Sequence, residues 1–424
     1  MKKRWAMIIS LAFFIPLFAL GILWWLTPAA DYSETENRAL AQRPRFSLRE
    51  LFSGRWTSDF DEYFADQFPH RDGLMEIAGN TGRAVYIERE GGTAVIHGDE
   101  NLDIIGTITE NDGNFFLIVG DRIMHIQETH HENNANYTRV MNRFAQAVSP
   151  NLLHGFAVPD RRVISMIVPN SFVLYAPSQY ITEAHDTRGA INAIYNALDD
   201  RIITVDAFSF LYDNKDEYLF FRTDHHWTAR GAWQAYVAFC EAMGLTPCDI
   251  TLWEHGYIEG FVGLRHRQVQ GHPQAAVAAR NPDTVEFFLP PTPYTATVFS
   301  DITKADGRGI TVVNPHLPPD IMNKYNVFTE GDHALIHIHT DTRNGKSIAV
   351  VKESFANAFV PFLLAHYENI YVIDFRRFNR ADQPTLDLAA FMRDHDINDV
   401  LVINNFSVPN SRDLTDALEG FIRN

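Results

Sequence analysis

Cysteine is nearly absent from this 424-residue chain, which contains only Cys240 and Cys248. Two cysteines exclude a disulfide-rich framework, and neither lies in a zinc-ligand or redox motif. Two interpretations stay open, a single bridge between a helix end and the next loop or two buried thiols. A thiol nucleophile and a cysteine-based metal site are therefore not expected.

Basic residues are also scarce, since 36 lysines and arginines face 53 aspartates and glutamates and the formal charge is −17. Nucleic-acid binding needs clustered Lys and Arg, so no nucleic-acid partner is expected. The sequence has no Walker phosphate loop and no G-x-G-x-x-G fingerprint, so we expect no nucleotide and no other cofactor. Hydrophobic residues make up 46% of the chain, which is enough for a large core and argues against disorder.

Charge is missing altogether from the run Trp5–Leu26, which follows Lys2, Lys3 and Arg4. A helix of this length crosses a hydrocarbon core of about 30 Å. We expect residues 1–30 to form a retained signal anchor with its basic end in the cytoplasm. A cleaved signal peptide is the alternative, because small residues follow the run. Either interpretation predicts a protein of the cell membrane or envelope whose remaining residues lie outside the cytoplasm.

The rest of the chain is predicted to form a juxtamembrane helical segment, residues 31–95, and an α/β domain, residues 96–424. Short apolar strands are expected at 162–169, 201–208, 347–353, 369–375 and 399–405, with helices near 187–198, 228–243, 356–366 and 386–394. Nearly continuous apolar strands separated by helices indicate a parallel sheet flanked by helices on both faces. The segment 250–340 lacks this alternation of strands and helices and is predicted to be a β-rich insertion over one end of the domain.

Ser354 follows one of these strand patterns and precedes a helical one. Ligands of open α/β sheets bind beyond the carboxyl ends of the strands, so this serine is well placed to be a nucleophile. Its own backbone N–H, near a helix N-terminus, can help to stabilise an oxyanion. The alternative is an ordinary helix N-cap, a position that serine often takes.

The segment FRTDHHW, residues 221–227, places Asp224 directly before His225 and His226. A serine hydroxyl becomes a nucleophile when an imidazole, oriented by a carboxylate, accepts its proton. In an extended segment, residues two apart point to the same side, so we expect Asp224 and His226 to face one site and His225 to point elsewhere. Thr228 is the predicted N-cap of the next helix. His225 remains a rival base, and a polar loop or a divalent-metal site are alternatives, but no second ligand cluster completes a metal site.

Four separated motifs carry a resemblance to a known family: ENRAL (36–40), DQFPHRD (66–72), RTDHHWTARGAW (222–233) and KESFANAFVPFLLAHYENIYVIDFR (352–376). Together they resemble the bacterial DHHW protein family, which is similar to the catalytic domains of exported alginate O-acetyltransferase proteins with an SGNH-hydrolase-like, flavodoxin-like fold. The resemblance implies Asp224, His226 and Ser354 as the triad, in the opposite chain order to SGNH esterases. Those esterases have Gly-Asp before the serine, whereas this chain has Lys352 and Glu353.

The function that the resemblance implies is O-acetyl transfer or acetyl-ester hydrolysis on a cell-surface or exported polysaccharide. A multi-pass membrane O-acyltransferase that supplies acetyl is the implied partner. A non-catalytic glycan-binding or assembly protein on the same scaffold is the alternative, favoured by the absent Gly-Asp, and a metal-dependent hydrolase is a third hypothesis. Arg376 either holds an anionic group of a ligand or pairs with nearby acids. The candidate substrate-binding and oxyanion residues are Arg376, Asn357, Gly331, Asn405 and His225.

Overall fold

The computed structural model describes residues 24, 27–30, 32–33, 38–47, 51, 55–69, 106–111, 113–148, 152–153, 156–157, 161–299, 307–318, 320–379 and 383–422. The chain divides into two compact units, residues 1–90 with 270–273 and residues 91–269 with 274–424. The predicted anchor, residues 5–26, lies outside the described residues except for Trp24. No helix within the described part of the chain is long and apolar enough to cross a membrane.

The first unit contains an amphipathic helix. The helix spans Arg55–Asp66. Its aromatic rings pack along one side, and the rings of Trp56 and Phe60 are stacked with their centroids 5.0 Å apart. The helix ends before Pro69, since proline and the residue before it disfavour helical continuation. The carboxylate of Asp66 also accepts a hydrogen bond from the backbone N–H of Ala41 at 2.8 Å.

A mixed eight-stranded sheet forms the centre of the second unit. In order across the sheet, the strands are Arg308–Gly309, Tyr294–Phe299, Leu335–Thr340, Asn369–Asp374, Ser347–Lys352, Asp399–Asn405, Arg162–Val168 and Ile202–Val205. The last five run parallel to one another, and the first three pair antiparallel with each other and with Asn369–Asp374. The five predicted strands are confirmed. The parallel part of the sheet is as predicted, and the sheet as a whole is mixed, because the segment 250–340 adds three antiparallel strands at one edge.

Both faces of the parallel strands are covered, which is why their sequences are almost continuously apolar. Along Arg162–Val168, the side chains of Ile164 and Met166 face the cluster that includes Trp227, while those of Val163 and Ile167 face the opposite cluster. The first face is covered chiefly by the helix Ala229–Met243. The second face is covered by the helices His131–Val148, Thr187–Ala197, Leu388–Asp394 and Arg412–Glu419.

The five parallel strands have the flavodoxin-like order 2-1-3-4-5 when counting begins at Ser347–Lys352 instead of at the N-terminus. The order reverses between that strand and Asp399–Asn405. In open α/β sheets, ligands bind outside the carboxyl ends of the strands at such a reversal. The topology therefore identifies the crevice beside Ser354 as the expected ligand site.

Three smaller sheets also lie in the described part of the second unit, and the shortest pairs Leu152–Leu153 with Phe156–Ala157. An antiparallel meander is formed by the strands Thr107–Asn111, Asn114–Val119 and Arg122–Ile126. In the turn between the first two strands, Gly113 has a φ of +72°, a conformation that glycine adopts readily. The strands Glu254–Phe261 and Asp283–Leu289 form an antiparallel ribbon within the insertion. The short helices Phe172–Tyr175, Ala207–Asp213, Leu264–Gln268 and Ala275–Arg280 lie between the strands. Cys240 and Cys248 are free thiols.

The helix Ala229–Met243 begins directly after the FRTDHHW segment and is capped as predicted, since Thr228 Oγ1 accepts from the Gly231 N–H at 3.2 Å. Gly231 lies against the preceding loop. A Cβ atom added there would stand 2.3 Å from the Leu219 carbonyl oxygen and 3.0 Å from Cβ of Trp227. The helix thus approaches the loop more closely than any residue but glycine permits.

Replacing Gly231 with alanine should destabilise the fold, although alanine is the better helix former by about 1 kcal/mol. The added methyl group meets a backbone carbonyl that cannot rotate away, and such overpacking costs about 1 to 3 kcal/mol. Urea unfolding followed by tryptophan fluorescence measures the change in free energy of unfolding. Gly309→Ala, which enters open space, is the matched control and should change it by less than about 0.5 kcal/mol. A stabilised Gly231→Ala variant would contradict the close approach.

Candidate active site

Asp224, His226 and Ser354 meet at the carboxyl edge of the central sheet. The His226 Nδ1 atom lies 2.6 Å from Oδ1 of Asp224, and its Nε2 atom lies 2.8 Å from Oγ of Ser354. All three residues are buried, with Ser354 only 4% exposed. The imidazole therefore stands between a carboxylate and a hydroxyl, the arrangement of an acid, base and nucleophile. His226 takes this place, and His225 does not.

Asp224 is held by hydrogen bonds to both of its carboxylate oxygens. Oδ1 accepts from the backbone N–H of His226 at 3.0 Å as well as from its ring, and Oδ2 accepts from the backbone N–H of Leu264 at 2.8 Å. Burial acts to raise the pKa of Asp224, but the neighbouring imidazoles of His225 and His226 and their hydrogen bonds hold it well below its usual value. The carboxylate is thus ionised and fixed in orientation.

Glycine is required beside Asp224 because two chain segments nearly touch there. A Cβ atom added to Gly263 would lie 2.2 Å from Cβ of Asp224 and 2.6 Å from its Oδ2 atom. The backbone of Gly263 has an ordinary φ of −84°, so the requirement arises from space alone. Sequence reasoning did not identify this glycine, since nothing in its local pattern reports the long-range contact.

Asp283 fixes the backbone that leads into Asp224. Its fully buried carboxylate accepts from the Arg222 N–H at 3.0 Å, the Thr223 N–H at 2.8 Å and the Thr223 hydroxyl at 2.5 Å. The Tyr218 hydroxyl and the Arg222 guanidinium donate to it as well. Sequence reasoning missed Asp283, because a single aspartate at the start of a strand belongs to no motif.

The FRTDHHW segment is a tight turn and not an extended strand. The Phe221 N–H donates to the His226 carbonyl at 3.2 Å, and the His225 ring centroid lies 3.8 Å from that of His226. The expectation that His225 points elsewhere is therefore wrong. Its Nδ1 atom lies 3.5 Å from Oδ1 of Asp224, and its side chain is 19% exposed against 2% for His226. Burial and the neighbouring His226 lower the pKa of His225 to about 4.

Ser354 opens a 3₁₀ turn, Ser354–Ala358, and Glu353 is its N-cap. The N-cap interpretation of Ser354 is thus wrong, because Oε2 of Glu353 accepts from the Phe355 N–H at 3.2 Å. The same oxygen accepts from the Ser354 hydroxyl at 3.3 Å, and Oε1 accepts from the Asn405 N–H at 2.9 Å. Burial raises the pKa of Glu353. The predicted helix over 356–366 is reduced to this turn and the short helix Val360–Leu363.

Aromatic rings hold the imidazole of His226 in place. The Tyr325 ring stacks on it with a centroid distance of 3.9 Å and an interplanar angle of 10°. The Tyr325 hydroxyl and the Trp227 indole N–H both donate to the Phe355 carbonyl, at 3.1 and 2.8 Å. Trp227 is fully buried, and its ring centroid lies 5.6 Å from that of Phe355. These contacts restrict rotation of the base and exclude water from its faces.

The candidate ligand-binding residue Arg376 is engaged in a buried charge network. It pairs with Asp332 at 2.7 Å and with Asp374 at 2.6 Å, the ion-pair alternative that the sequence left open. Lys352 Nζ lies 2.8 Å from Oδ1 of Asp332 and 2.8 Å from the Asn357 amide oxygen. Although burial opposes it, these two cations hold the pKa values of Asp332 and Asp374 below their usual range.

The remaining candidates, Asn357, Asn405 and Gly331, occupy structural positions. Asn357 directs its amide to Lys352 and Asp332. Asn405 ends a central strand, and its amide oxygen accepts from the Ser407 N–H at 3.0 Å. Gly331 has a φ of +97°, a conformation that favours glycine. Among the described contacts, none of these three residues hydrogen-bonds Ser354, so their oxyanion role stays a sequence prediction.

Asp224, His225 and His226 also satisfy a distance criterion for a metal site. Within the described residues they are a group whose potential ligand atoms all lie within 4.8 Å of one another. Two of the three are already engaged, Asp224 with His226 and His226 with Ser354. An ion bound by either ring nitrogen of His226 would have to break one of these hydrogen bonds, so the arrangement favours proton transfer over metal coordination.

Comparison with known proteins agrees with this fold. The chain matches the sequence profile of the family described as DHHW protein over residues 36–152 and 158–373. A solved DHHW family protein from Eubacterium siraeum DSM 15702 is 26% identical, with a TM-score of 0.61 and coverage of 75% of this chain and 99% of that one. Bacillus cereus PatB1, solved with a sulfonyl adduct, is 15% identical, with a TM-score of 0.58 and coverage of 74% and 100%. No curated protein matches the chain in sequence.

The likeness to PatB1 supports the fold alone, because its identity is low. The family match is long enough to show family membership, because it covers more than half of the chain and includes Asp224, His226 and Ser354. It also includes the ENRAL and DQFPHRD motifs that carry the resemblance in the sequence. The chain therefore belongs to the DHHW protein family.

Proposed function

We propose that this protein is a serine-dependent acyl-transfer enzyme of SGNH-hydrolase-like fold, an O-acetyltransferase or acetylesterase. The observation that carries the proposal is the hydrogen-bonded series Asp224, His226 and Ser354, with distances of 2.6 and 2.8 Å. The position of Ser354 beside the reversal of strand order, where ligands bind in such sheets, supports it.

The reaction uses two acyl-transfer steps. His226, oriented by Asp224, takes the proton of Ser354 while Oγ attacks the carbonyl carbon of an acetyl ester. The tetrahedral intermediate collapses to acetyl-Ser354, and the departing alkoxide receives the proton from His226. A sugar hydroxyl or water then attacks the acyl-enzyme, with His226 again accepting a proton and returning it to Ser354. The ionised Asp224 stabilises the imidazolium in both steps.

The proposed acceptor is a hydroxyl of an exported or cell-surface polysaccharide. The uncharged run of residues 5–26 and the resemblance to exported alginate O-acetyltransferase proteins support a site outside the cytoplasm. On this proposal, residues 5–26 anchor the chain in the membrane, and a multi-pass membrane O-acyltransferase delivers the acetyl group.

A non-catalytic glycan-binding or assembly protein on the same scaffold is the second candidate. The observation that favours it is the burial of the site, since Ser354 is 4% exposed and a bulky acceptor needs access to Oγ. Lys352 and Glu353, in place of Gly and Asp, favour it as well. The two candidates differ in one property, the reactivity of Ser354.

Reaction with a fluorophosphonate probe should label wild-type protein and fail with Ser354→Ala, because only an activated hydroxyl attacks phosphorus at a useful rate. Intact-mass spectrometry and peptide mapping locate the label, and release of a chromogenic alcohol from its acetate ester measures turnover. Ser178→Ala, at an exposed position, is the control and should behave as wild type. Glycan binding without labelling and without acetyl release would instead support the non-catalytic protein.

Substitution of Asp224 by asparagine should lower kcat for the chromogenic acetate about 10⁴-fold, because the amide no longer selects the His226 tautomer that accepts the serine proton. Steady-state kinetics separate this effect from KM, which should change little. Asp200→Asn, at an exposed turn, is the matched control. An Asp224→Asn enzyme within tenfold of wild type would remove Asp224 from the mechanism.

Gly263→Ala should reduce kcat about 10²-fold, since displacement of a catalytic group by about 1 Å has an effect of that size. The new methyl group pushes against Asp224 and not against the expected position of substrate, so KM should stay within a fewfold of wild type. Gly309→Ala serves as the control with the same change in composition. Unchanged kcat in a folded Gly263→Ala enzyme would show that Asp224 has room to move without consequence.

A further inference from the structure

Glu353 is a buried carboxyl group that contacts the nucleophile and has no part in the triad. The residue is 8% exposed, and its Oε2 atom lies 3.3 Å from Oγ of Ser354. On its other side, the same Oγ lies 2.8 Å from Nε2 of His226. A serine hydroxyl has one proton, so it can donate to only one of these two acceptors at a time.

Two backbone donors hold the Glu353 carboxyl group against the nucleophile. Oε2 accepts from the Phe355 N–H at 3.2 Å, and Oε1 accepts from the Asn405 N–H at 2.9 Å. One donor belongs to the turn that carries Ser354, and the other ends the neighbouring strand Asp399–Asn405. The carboxyl group would have to break both bonds to leave Oγ, so the contact with Oγ is a fixed feature of the site.

The side chains that face Glu353 leave it without a cation of its own. They are Arg376, His225 and Tyr325, and Arg376 is already paired with two aspartates. The pKa of His225 is lowered by burial to about 4, and burial raises that of Tyr325 well above its usual value, so both rings are neutral near pH 7. The preceding residue, Lys352, is paired with another carboxylate. Within the described part of the chain, Glu353 forms no ion pair.

The protonation state of Glu353 decides where the Ser354 proton points. Burial raises the pKa of Glu353, although Arg376 and the two backbone donors act in the opposite direction. In the neutral acid, an O–H on Oε2 can donate to Oγ, which leaves the serine proton for His226. The ionised form has no proton to give, so it competes with His226 for that of Ser354. Its negative charge also lies beside the atoms on which negative charge develops during attack.

We propose that Glu353 is a further catalytic residue, whose neutral acid form is required for attack by Ser354 because it leaves the serine proton to His226. The inference rests on the proposed function, since it concerns the control of that same nucleophile. The acid keeps its own proton throughout the reaction. The Ser354 proton passes to His226 and then to the leaving group, as in the mechanism above. When Glu353 loses its proton to solvent, its carboxylate draws the Ser354 O–H away from the base and acyl transfer slows.

The rate of fluorophosphonate labelling of the full chain, measured over the pH range in which circular dichroism is unchanged, tests this role. Wild-type labelling should rise as the base loses its proton and then fall about tenfold per pH unit above the pKa of Glu353, since only the neutral acid permits attack. Glu353→Gln keeps the shape of the side chain but cannot ionise, so the alkaline fall should vanish. Glu241→Gln, at an exposed position, is the matched control and should keep the wild-type profile.

The same profile in wild type and in Glu353→Gln would overturn the inference and leave the serine chemistry standing. Absence of label in both proteins at every pH would overturn the proposed function and, with it, the inference. If circular dichroism shows Glu353→Gln to be unfolded, infrared spectroscopy of the wild-type protein replaces it. The C=O band of a buried protonated carboxyl group should then disappear over the pH interval in which labelling falls. A fall in labelling without loss of that band would overturn the role of Glu353.

Discussion

The buried carboxylate of Asp283 is the constraint on which the geometry of the site depends. It binds the backbone and side chains of Arg222 and Thr223, the two residues that precede Asp224. A buried carboxylate is costly unless donors and a cation surround it, so the strand Asp283–Leu289 and the turn stabilise each other. Because Asp283 comes from the insertion, that segment helps to build the site as well as extending the sheet.

The order of the parallel strands accounts for the unusual order of the triad along the chain. Counted from Ser347–Lys352, the sheet has the flavodoxin-like order with the serine after the first strand and the Asp-His turn after the fifth. In this chain, the first of the five parallel strands in sequence is the fourth in that count, Arg162–Val168. Asp224 and His226 therefore precede Ser354 in sequence, while the hydrogen bonds that link them are unaffected. The reversed chain order is a consequence of connectivity and leaves the geometry of the three residues unchanged.

Features encoded by local pattern could be predicted from the sequence, and features that depend on distant segments could not. The five parallel strands, the Thr228 cap and the meeting of Asp224, His226 and Ser354 follow from apolar runs, capping preference and chemistry. The antiparallel edge strands, Gly263 and Asp283 depend on which segments pack together, and short windows carry no such information. His225 was misplaced because alternation of side chains holds for extended backbone, whereas this segment folds back on itself.

The departure from Gly-Asp before the serine has a structural reason. Lys352 turns away from Ser354 and pairs with Asp332, and lies 3.6 Å from Asp374 at the end of the adjacent strand. Glu353 turns the other way and accepts from the Asn405 N–H at the end of the strand on the opposite side. A buried lysine is tolerated only with such partners. The contacts of Lys352 and of Glu353 each connect the nucleophile turn to one neighbouring strand. The two residues therefore hold the Ser354 turn between the ends of the two neighbouring strands, Asn369–Asp374 and Asp399–Asn405, with its hydroxyl within hydrogen-bonding distance of His226.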